Sequence, residues 1–371
     1  MALHKLNLMQ KSKIEVGKGM KNKVKAVIFA VITFSVIFGA AVFELPSSSN
    51  LLSITTLANK NSERITLSPS GKAFGVKYFT KGALIVGLTD IETAQGLSSP
   101  ARDAGLEVKD IIINVGGKEI KSAEDFQSVV ANSGGNGIEI KYVREGSEKN
   151  INVTPVIDKT DNTYKLGIWV RDSTAGIGTI TYINNDTGEF GGLGHGICDS
   201  ETGILLPLDR GIIVDVTITD IVMGKKNAPG ELKGKFDRYR KGELNKNTEV
   251  GVFGKFDNYK SENNQEFPIG FKDELKVGKA YILTTLDNGK PEQFEIEIEK
   301  IYNDSGSTKN FMIKITDSKL LVKTGGIIQG MSGSPIIQDG KLFGAVTHVL
   351  VGDSTRGYGI HIENMIDGMS D

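Results

Sequence analysis

Residues 324–335 read TGGIIQGMSGSP, and the glycine-flanked Ser332 within this stretch decides the fold. A nucleophilic serine has to stand on a tight turn with its Oγ exposed, while two backbone N–H groups point together at the developing oxyanion. The spacing therefore predicts Ser332 as a nucleophile and the N–H groups of Gly330 and Ser332 as an oxyanion hole. Ser334 is the rival nucleophile, but no glycine stands two residues before it.

A second glycine-rich stretch, GGLGHGICD at residues 191–199, contains His195. A histidine in such a turn is rarely a packed core residue, so His195 is predicted as the general base. The rivals, His348 and His361, follow the nucleophile and lie in β-like runs. The nucleophile stretch resembles the GDSGGP turn of chymotrypsin-like serine proteases, a class in which the base also precedes the serine.

The single cysteine, Cys198, excludes an internal disulfide. A thiol nucleophile beside His195 is an alternative. However, the two residues are only three positions apart, whereas nucleophile and base usually come from separate segments, so an inert thiol is expected. No Cys/His cluster has metal-ligand spacing, and neither a metal nor a cofactor is expected.

The composition indicates a globular, turn-rich protein. Hydrophobic residues make up 39% and charged residues 24% of the chain, which excludes a disordered protein. The 45 glycines indicate many tight turns and favour a β-rich fold. A formal net charge of −1 gives no indication of a nucleic-acid partner.

The N-terminal region carries the membrane signal. Residues 26–43 are apolar or small and carry no charge, and as a helix they would rise about 27 Å, roughly the thickness of a bilayer core. The lysine-rich residues 1–25 place the N-terminus in the cytoplasm, so residues 26–43 are predicted as a transmembrane signal-anchor. A cleaved signal peptide is the competing interpretation, since Gly39-Ala40-Ala41 resembles a cleavage site. Residues 44–72 are expected to be an exposed linker that a protease would cut.

Residues 73–156 resemble a PDZ domain. The run SPARDAGL at residues 99–106, followed by KDIIINVGG at 109–117, resembles the bacterial PDZ signature. Ser99 can cap a short helix that begins at Pro100 and ends at Gly105, and Ser122 to Asp125 resembles the capping box of a second helix. PDZ domains bind extended peptides as an added strand and often hold a terminal carboxylate with backbone N–H groups. By resemblance to membrane-linked bacterial proteases, the carboxylate-binding loop is expected at Phe74-Gly75-Val76. The alternative is that Phe74 is a core residue.

Residues 160–371 read as short β-like runs separated by glycines and polar turns, with a helical period only at Ile362–Met369. Many short strands with a terminal helix suit a two-barrel β protein. The predicted fold class is therefore mainly β: an N-terminal transmembrane helix, a PDZ domain and a chymotrypsin-like double β-barrel serine protease domain.

The order of these segments and the motifs GLGHG, TGGIIQGMSGSPIIQDGK and GAVTHV closely resemble the stage IV sporulation protein B (SpoIVB) peptidases. The resemblance implies a sporulation-signalling serine endopeptidase of the Ser-His-Asp type. Its location would be the forespore membrane, with the catalytic domain in the intermembrane space. It would cleave itself and a regulatory membrane protein, stage IV sporulation protein FA, to trigger pro-sigma-K processing in the mother cell.

The resemblance also assigns the acidic member of the catalytic triad to Asp317. Asp317 stands only 15 residues before Ser332, whereas chymotrypsin-like enzymes carry this residue far upstream of the serine. The other candidates for orienting His195 are Asp199, Asp209, Asp215 and Asp220.

Two other functions remain open. In the first, the chain would be an inactive scaffold that only binds partners, although His195, Ser332 and the oxyanion glycine argue against it. In the second, the chain would be a general envelope protease of the HtrA type, although those proteases place the PDZ domain last.

His348 follows the nucleophile by about one hairpin. It is expected on a strand that forms one wall of the pocket for the substrate's P1 side chain, facing the same way as Val346. There a neutral imidazole could donate a hydrogen bond to a polar P1 group and so determine specificity, and a packed or surface histidine is the alternative.

Overall fold

The computed structural model describes residues 64–260, 265–287, 289–302 and 308–370. The strands of these residues are β1 (Thr66–Pro69), β2 (Ala73–Leu88), β3 (Ile91–Thr93), β4 (Gly96–Ser98), β5 (Ile111–Val115), β6 (Lys118–Glu119), β7 (Ile138–Arg144), β8 (Ser147–Val153), β9 (Val156–Ile157), β10 (Tyr164–Lys165), β11 (Ile168–Ile183), β12 (Glu189–Gly192), β13 (Leu208–Val222), β14 (Glu231–Thr248), β15 (Gly251–Phe256), β16 (Phe267–Pro268), β17 (Gly278–Thr285), β18 (Pro291–Ile301), β19 (Phe311–Ile315), β20 (Pro335–Gln338), β21 (Lys341–Leu350) and β22 (Asp353–His361). The helices are α1 (Pro100–Ala104), α2 (Ala123–Ala131), α3 (Ser318–Thr324) and α4 (Ile362–Ser370), with one 3-10 turn at Lys272–Glu274.

Six antiparallel strands close the first barrel. β2 pairs with β11 and β13, and the ring continues through β14, β15 and β12 back to β11. Apolar residues at alternate positions of β2 point into the barrel, where Phe74, Val76 and Tyr78 are buried. This period of two is the pattern that a half-buried strand requires.

The PDZ domain is inserted into the first barrel between β2 and β11. The later residues of β2 and the first residues of β11 leave the barrel and form one sheet with β5, β7 and β8. This sheet and helices α1 and α2 enclose a separate core that includes Ile85, Leu106, Ile112, Phe126 and Ile140.

The boundary expected at residue 73 therefore differs from the structure. Ala73–Thr80 pairs with β11 and β13 of the barrel, and only Ala83–Leu88 belongs to the PDZ sheet. Residues 64–72 of the expected linker are also part of the fold, because β1 pairs with β11 and β16. An alternating strand pattern serves either sheet equally well, so the local sequence does not tell which sheet a strand joins.

The second barrel is closed by β17, β18, β19, β22, β21 and β20 in that order. Its core includes Ile282, Phe294, Ile313 and Phe343. A further cluster joins the two barrels, in which Tyr182 and Phe253 of the first meet Ile337 of the second and Met365 of α4. The prediction of a mainly β chain with a barrel domain is confirmed.

The local signals of the PDZ region agree with the structure. Pro100 is in the first turn of α1, and the helix ends at Gly105, whose φ of 95° is left-handed. Ser122 caps α2 by accepting a hydrogen bond from the N–H of Asp125. The hydroxyl of Ser99, by contrast, does not cap α1 but donates to Asp90.

The expected anchor, residues 26–43, lies outside the described residues. Across the described ranges, no helix is both long enough and apolar enough to cross a bilayer.

Candidate active site

A cleft of about 560 Å³ lies between the two barrels. Residues of both barrels line it, among them Gly176, Ile177, His195, Gly330, Ser332 and His348. The structure thus brings the predicted nucleophile, base and oxyanion glycine into one cleft, although they are as many as 137 positions apart, from residue 195 to residue 332.

The nucleophile turn is fixed by β11. The N–H of Thr179 donates to the carbonyl of Ser332 at 2.9 Å, and its hydroxyl donates to the carbonyl of Gly330 at 2.7 Å. Thr181 holds the carbonyl of Gly333 in the same way at 2.8 Å. Thr179 is fully buried, so these bonds are shielded from water. Nothing in the sequence indicates that either threonine holds this turn, since both look like ordinary strand residues.

Two N–H groups of the turn are left for an oxyanion. Among the described contacts, no acceptor is bonded to the N–H of Gly330 or to the N–H of Ser332. Met331, Gly333 and Ser334 each donate their N–H to a backbone carbonyl. The two unbonded groups are therefore those that the spacing of glycine and serine predicts for an oxyanion hole.

Ser332 occupies a resting position. Its Oγ donates to the carbonyl of Thr347 at 2.7 Å, and the described contacts include no hydrogen bond between this Oγ and His195. A nucleophilic role for Ser332 would require the hydroxyl to leave Thr347 and turn toward His195. Catalytic hydrogen bonds are often absent or long before substrate binds.

Ser334 is placed differently from Ser332. It is fully buried, its Oγ has no partner in the described part of the chain, and it does not line the cleft. A substrate carbonyl in the cleft has no access to this hydroxyl.

The ring of His195 is held by a backbone carbonyl. Its Nδ1 lies 2.9 Å from the carbonyl oxygen of Gly196. Because a carbonyl oxygen only accepts, Nδ1 carries the hydrogen and Nε2 is left as the proton acceptor, the tautomer that a general base requires. Burial lowers the pKa of His195, while the Gly196 carbonyl acts in the opposite direction. The ring is consequently neutral at pH 7.

Asn247 positions the segment that carries His195. Its side-chain oxygen accepts from the N–H of Ile197 at 2.7 Å, and its amide donates to the carbonyls of Ile197 and Leu206 at 2.9 Å. This asparagine on β14 therefore fixes the chain two residues beyond the base. Nothing in its sequence context indicates this role.

The structure does not bring Asp317 to His195. Asp317 is the N-cap of α3, and its carboxylate accepts from the N–H of Leu320 at 3.0 Å and of Glu295 at 3.4 Å. A short helix begins immediately after β19, and its first N–H groups need an acceptor that Asp317 provides. The triad assignment of Asp317 is therefore corrected to a helix cap.

This correction gives a testable difference. Asp317→Ala is expected to lower the free energy of unfolding by about 1 kcal/mol, because an N-cap is lost. Asp317→Asn is expected to retain most of that stability and to react with a serine-directed probe as fast as the unsubstituted chain. Chemical unfolding and probe-labelling rates measure the two quantities. A loss of labelling by Asp317→Asn at unchanged stability would restore the triad role.

The alternative carboxylates serve other partners. Asp199 is buried and forms an ion pair with Arg171, while Asp215 bridges Lys72 and Lys241. Neither carboxylate has a described hydrogen bond to His195, and neither lines the cleft. Asp209 does not line the cleft either, and the carboxylate of Asp220 accepts from the N–H of Ile221 at 2.8 Å. None of the described contacts therefore joins a carboxylate to His195.

His348 stands beside the base. The centroids of the two imidazoles are 5.0 Å apart, and Nδ1 of His348 is buried with no partner among the described residues. Burial, then the charges of His195 and Lys309, lower the pKa of His348 to about 4. Val346 lies in the core of the second barrel, whereas His348 lines the cleft. A register shift between Val346 and Val349 breaks the strand alternation between them. The two side chains therefore do not face the same way, and a specificity role for His348 stays a prediction.

Cys198 also lines the cleft and is exposed. Partial desolvation of the thiol by its neighbours, and then the charges of Glu249 and Asp199, raise the pKa of Cys198. A raised pKa leaves little thiolate at neutral pH, which agrees with an inert thiol.

The expected carboxylate-binding loop Phe74-Gly75-Val76 is not a loop. These residues lie in β2 and pair with β11 and β13, and both large side chains are buried in the first barrel. Their backbone N–H groups therefore lie in a barrel strand outside the PDZ sheet, and this assignment is corrected.

Comparison with protein families agrees with the expected layout. A model described as SpoIVB peptidase S55 matches residues 162–366, which is more than half of the chain. A model described as PDZ domain matches residues 96–154. Both resemblances noted in the sequence are thereby confirmed.

Single relatives cover less of the chain. A Bartonella henselae protein named as a zinc metalloprotease is 35% identical over 80 residues, and the chain spans only 22% of that protein's length. The PDZ domain of the SdrC-like protein of Listeria monocytogenes is 22% identical and covers 24% of this chain and 87% of its own, with a TM-score of 0.20. The HtrA-type protease AlgW with a decapeptide is 13% identical and covers 54% of this chain and 53% of its own, with a TM-score of 0.33. On the family match, the chain belongs to the SpoIVB peptidase S55 family and contains a PDZ domain.

Proposed function

We propose that the chain is a serine endopeptidase with a chymotrypsin-like double barrel, in which Ser332 is the nucleophile and His195 the general base. The observation that carries this proposal is the nucleophile turn, where Ser332 and the unbonded N–H groups of Gly330 and Ser332 lie in one cleft with His195. The Gly196 carbonyl orients the base in the place that a carboxylate occupies in a triad.

The chemistry then follows from these groups. Ser332 Oγ attacks the peptide carbonyl, and Nε2 of His195 takes the hydroxyl proton. The tetrahedral oxyanion is stabilised by the N–H groups of Gly330 and Ser332. As the C–N bond breaks, His195 gives the proton to the leaving amine. A water molecule, deprotonated by His195, then cleaves the acyl-enzyme ester and restores Ser332.

A fluorophosphonate probe tests the assignment of the nucleophile. The unsubstituted chain is expected to be labelled and Ser332→Ala to lose all labelling, because the reacting oxygen is gone. Ser334→Ala is the matched control. Its hydroxyl is buried and unpartnered, so its removal is expected to leave both labelling and stability nearly unchanged. Labelling that persists in Ser332→Ala, or that is absent from every variant, contradicts the proposal.

The family resemblance extends the proposal to a substrate. The peptidase cleaves itself and stage IV sporulation protein FA, and thereby triggers pro-sigma-K processing in the mother cell. It is held in the forespore membrane by residues 26–43, with the N-terminus cytoplasmic and the catalytic domain in the intermembrane space. Because residues 64–72 belong to the fold, the proposed self-cleavage site lies within residues 44–63.

Self-cleavage is tested by expressing the full chain and its Ser332→Ala variant side by side. The unsubstituted chain is expected to yield a soluble fragment that begins between residues 44 and 64, and Ser332→Ala is expected to remain uncut. Mass spectrometry of both products locates the cut. Equal trimming of the two would show that another protease makes it.

A further inference from the structure

A single strand, β11, belongs to both the PDZ domain and the catalytic cleft. Ile168–Arg171 forms the outer strand of the PDZ sheet, and Gly176–Gly178 lines the cleft. One edge of β11 pairs with β2 from Ile168 to Thr179. In the described part of the chain, the opposite edge of β11 has no partner strand before Ile180, which pairs with β12.

This open edge is accessible. Trp169, Ala175 and Gly176 are exposed, and Trp169 retains 66% of its accessible surface. An exposed edge presents a row of N–H and C=O groups that bind another extended chain by main-chain hydrogen bonds. The occupant that fits such an edge is therefore an extended peptide.

The start of β11 fits the end of that peptide. The N–H groups of Leu166 and Gly167 have no acceptor among the described residues, and Leu166 is only 2% exposed. Gly167 has a φ of 73°, and a Cβ there would lie 2.3 Å from the carbonyl oxygen of Thr89. Adjacent N–H groups on such a turn form a concavity suited to an anion, which here is a terminal carboxylate.

Helix α2 packs beside the start of β11. The N–H of Ala123 at its first residue donates to the carboxylate of Asp172 on β11 at 2.8 Å. Phe126 of α2 and the half-buried Ile168 and Val170 of β11 belong to one apolar cluster. A peptide whose last residue is apolar therefore suits this end of the strand.

We propose that one extended peptide occupies the whole open edge of β11, from the N–H groups of Leu166 and Gly167 to Ser332. Its carboxylate lies at the start of β11, so the peptide runs antiparallel to the strand and its upstream residues enter the cleft. Apart from the chain itself, the preferred substrates are therefore chains with a free C-terminus that lies about ten to twelve residues beyond the bond that is cut, given one residue per step along the strand. This inference rests on the proposed endopeptidase function.

Peptides of defined C-terminal length and chemistry test it. The full chain in detergent is incubated with randomised peptides of about twenty residues that end in valine, either as the free acid or as the amide. Mass spectrometry is expected to find Ser332-dependent cuts clustered about ten to twelve residues from the free carboxylate. Amidation is expected to reduce cutting at that distance about tenfold or more, because a hydrogen-bonded charge is lost.

N-methylated peptides test the strand pairing itself. In an antiparallel pair, alternate residues direct their N–H toward the partner strand. Two series of peptides carry N-methyl groups on alternate residues after the cut, one series on the odd and the other on the even positions. The series whose methylated N–H groups point toward β11 is expected to resist cleavage, and the other series is expected to be cut nearly unchanged. Equal effects in the two series would overturn the pairing along β11.

A binding measurement separates this inference from the proposed function. Immobilised Ser332→Ala captures peptides of the same two sets without cutting them, and hydrogen exchange is then followed along β11. Long peptides with a free C-terminal carboxylate are expected to slow amide exchange in both Ile168–Arg171 and Gly176–Gly178. Five-residue peptides are expected to slow it only in Ile168–Arg171. Scattered Ser332-dependent cuts, or protection confined to the PDZ part, overturn the inference while the peptidase stands. An absence of all Ser332-dependent cutting contradicts the peptidase instead, and failure of the acid peptides to protect either segment overturns the inference by itself.

Discussion

Gly333→Ala is expected to lower peptidase activity about a hundredfold or more. A Cβ at this position would lie 1.9 Å from the carbonyl oxygen of Thr179 and 2.5 Å from the backbone nitrogen of Leu193. Both neighbours are backbone atoms, so neither can move aside cheaply. Gly333 also has a φ of 96°, in the left-handed region that alanine adopts at a cost.

The clash would separate the groups to which the proposed mechanism assigns the reaction. Thr179 lies on β11, and Leu193 stands two residues before His195. Pushing either away from the nucleophile turn moves Ser332 relative to its base and to the N–H groups of the oxyanion hole. A displacement of about 1 Å lowers the rate about a hundredfold, so a loss of that size or greater is expected in kcat/KM.

Gly340→Ala is the matched control. Gly340 is also left-handed, with a φ of 73°, but nothing lies within 4 Å of a Cβ placed there. It is expected to lose about 1–2 kcal/mol of unfolding free energy to backbone strain and to keep its activity. Hydrolysis of a peptide substrate and thermal unfolding distinguish the variants. Activity that falls equally in both would show that left-handed strain, and not the contact with Thr179, determines the loss.

The nucleophile turn shows what a sequence can predict. A tight turn is specified by residues that are neighbours in the chain, so the glycines around Ser332 indicate the geometry directly. The end of α1 at Gly105, the Ser122 cap of α2 and the strand at Ile111–Val115 are predictable for the same reason. In each case the physical constraint acts within about five residues.

The residues that hold the two catalytic segments together lack such a signal. Thr179 and Asn247 act through contacts with segments up to 153 positions away, as in the Thr179–Ser332 bond. The error at Phe74 has a different cause. Its apolar strand context fits a PDZ sheet and a barrel equally well, so the sequence does not tell which of the two this strand joins. Asp317 has a local explanation as a helix cap, and a cap and a catalytic carboxylate look alike in a sequence.

The junction between the PDZ domain and the histidine segment depends on one buried ion pair. Arg171, in the PDZ part of β11, donates to the carboxylate of Asp199, whose side chain is 0% exposed. The other oxygen of Asp199 accepts from the N–H of Glu201 at 3.1 Å, and from the N–H and hydroxyl of Thr202 at 2.8 Å each. Burial opposes ionisation, but the bonds from Thr202 and the charge of Arg171 hold the pKa of Asp199 below its ordinary value.

Asp199→Ala is expected to lower the free energy of unfolding by about 3–5 kcal/mol, because Arg171 and three donors lose a buried acceptor together. The turn that follows His195 loses its anchor, so labelling of Ser332 by a fluorophosphonate is expected to slow even below the melting temperature. Glu201→Ala is the control. Glu201 binds the same arginine at 2.9 Å, but its side chain is 59% exposed, and such pairs contribute about 0–1 kcal/mol. Equal losses in the two variants would show that the charge on Arg171, rather than the buried carboxylate, holds the junction.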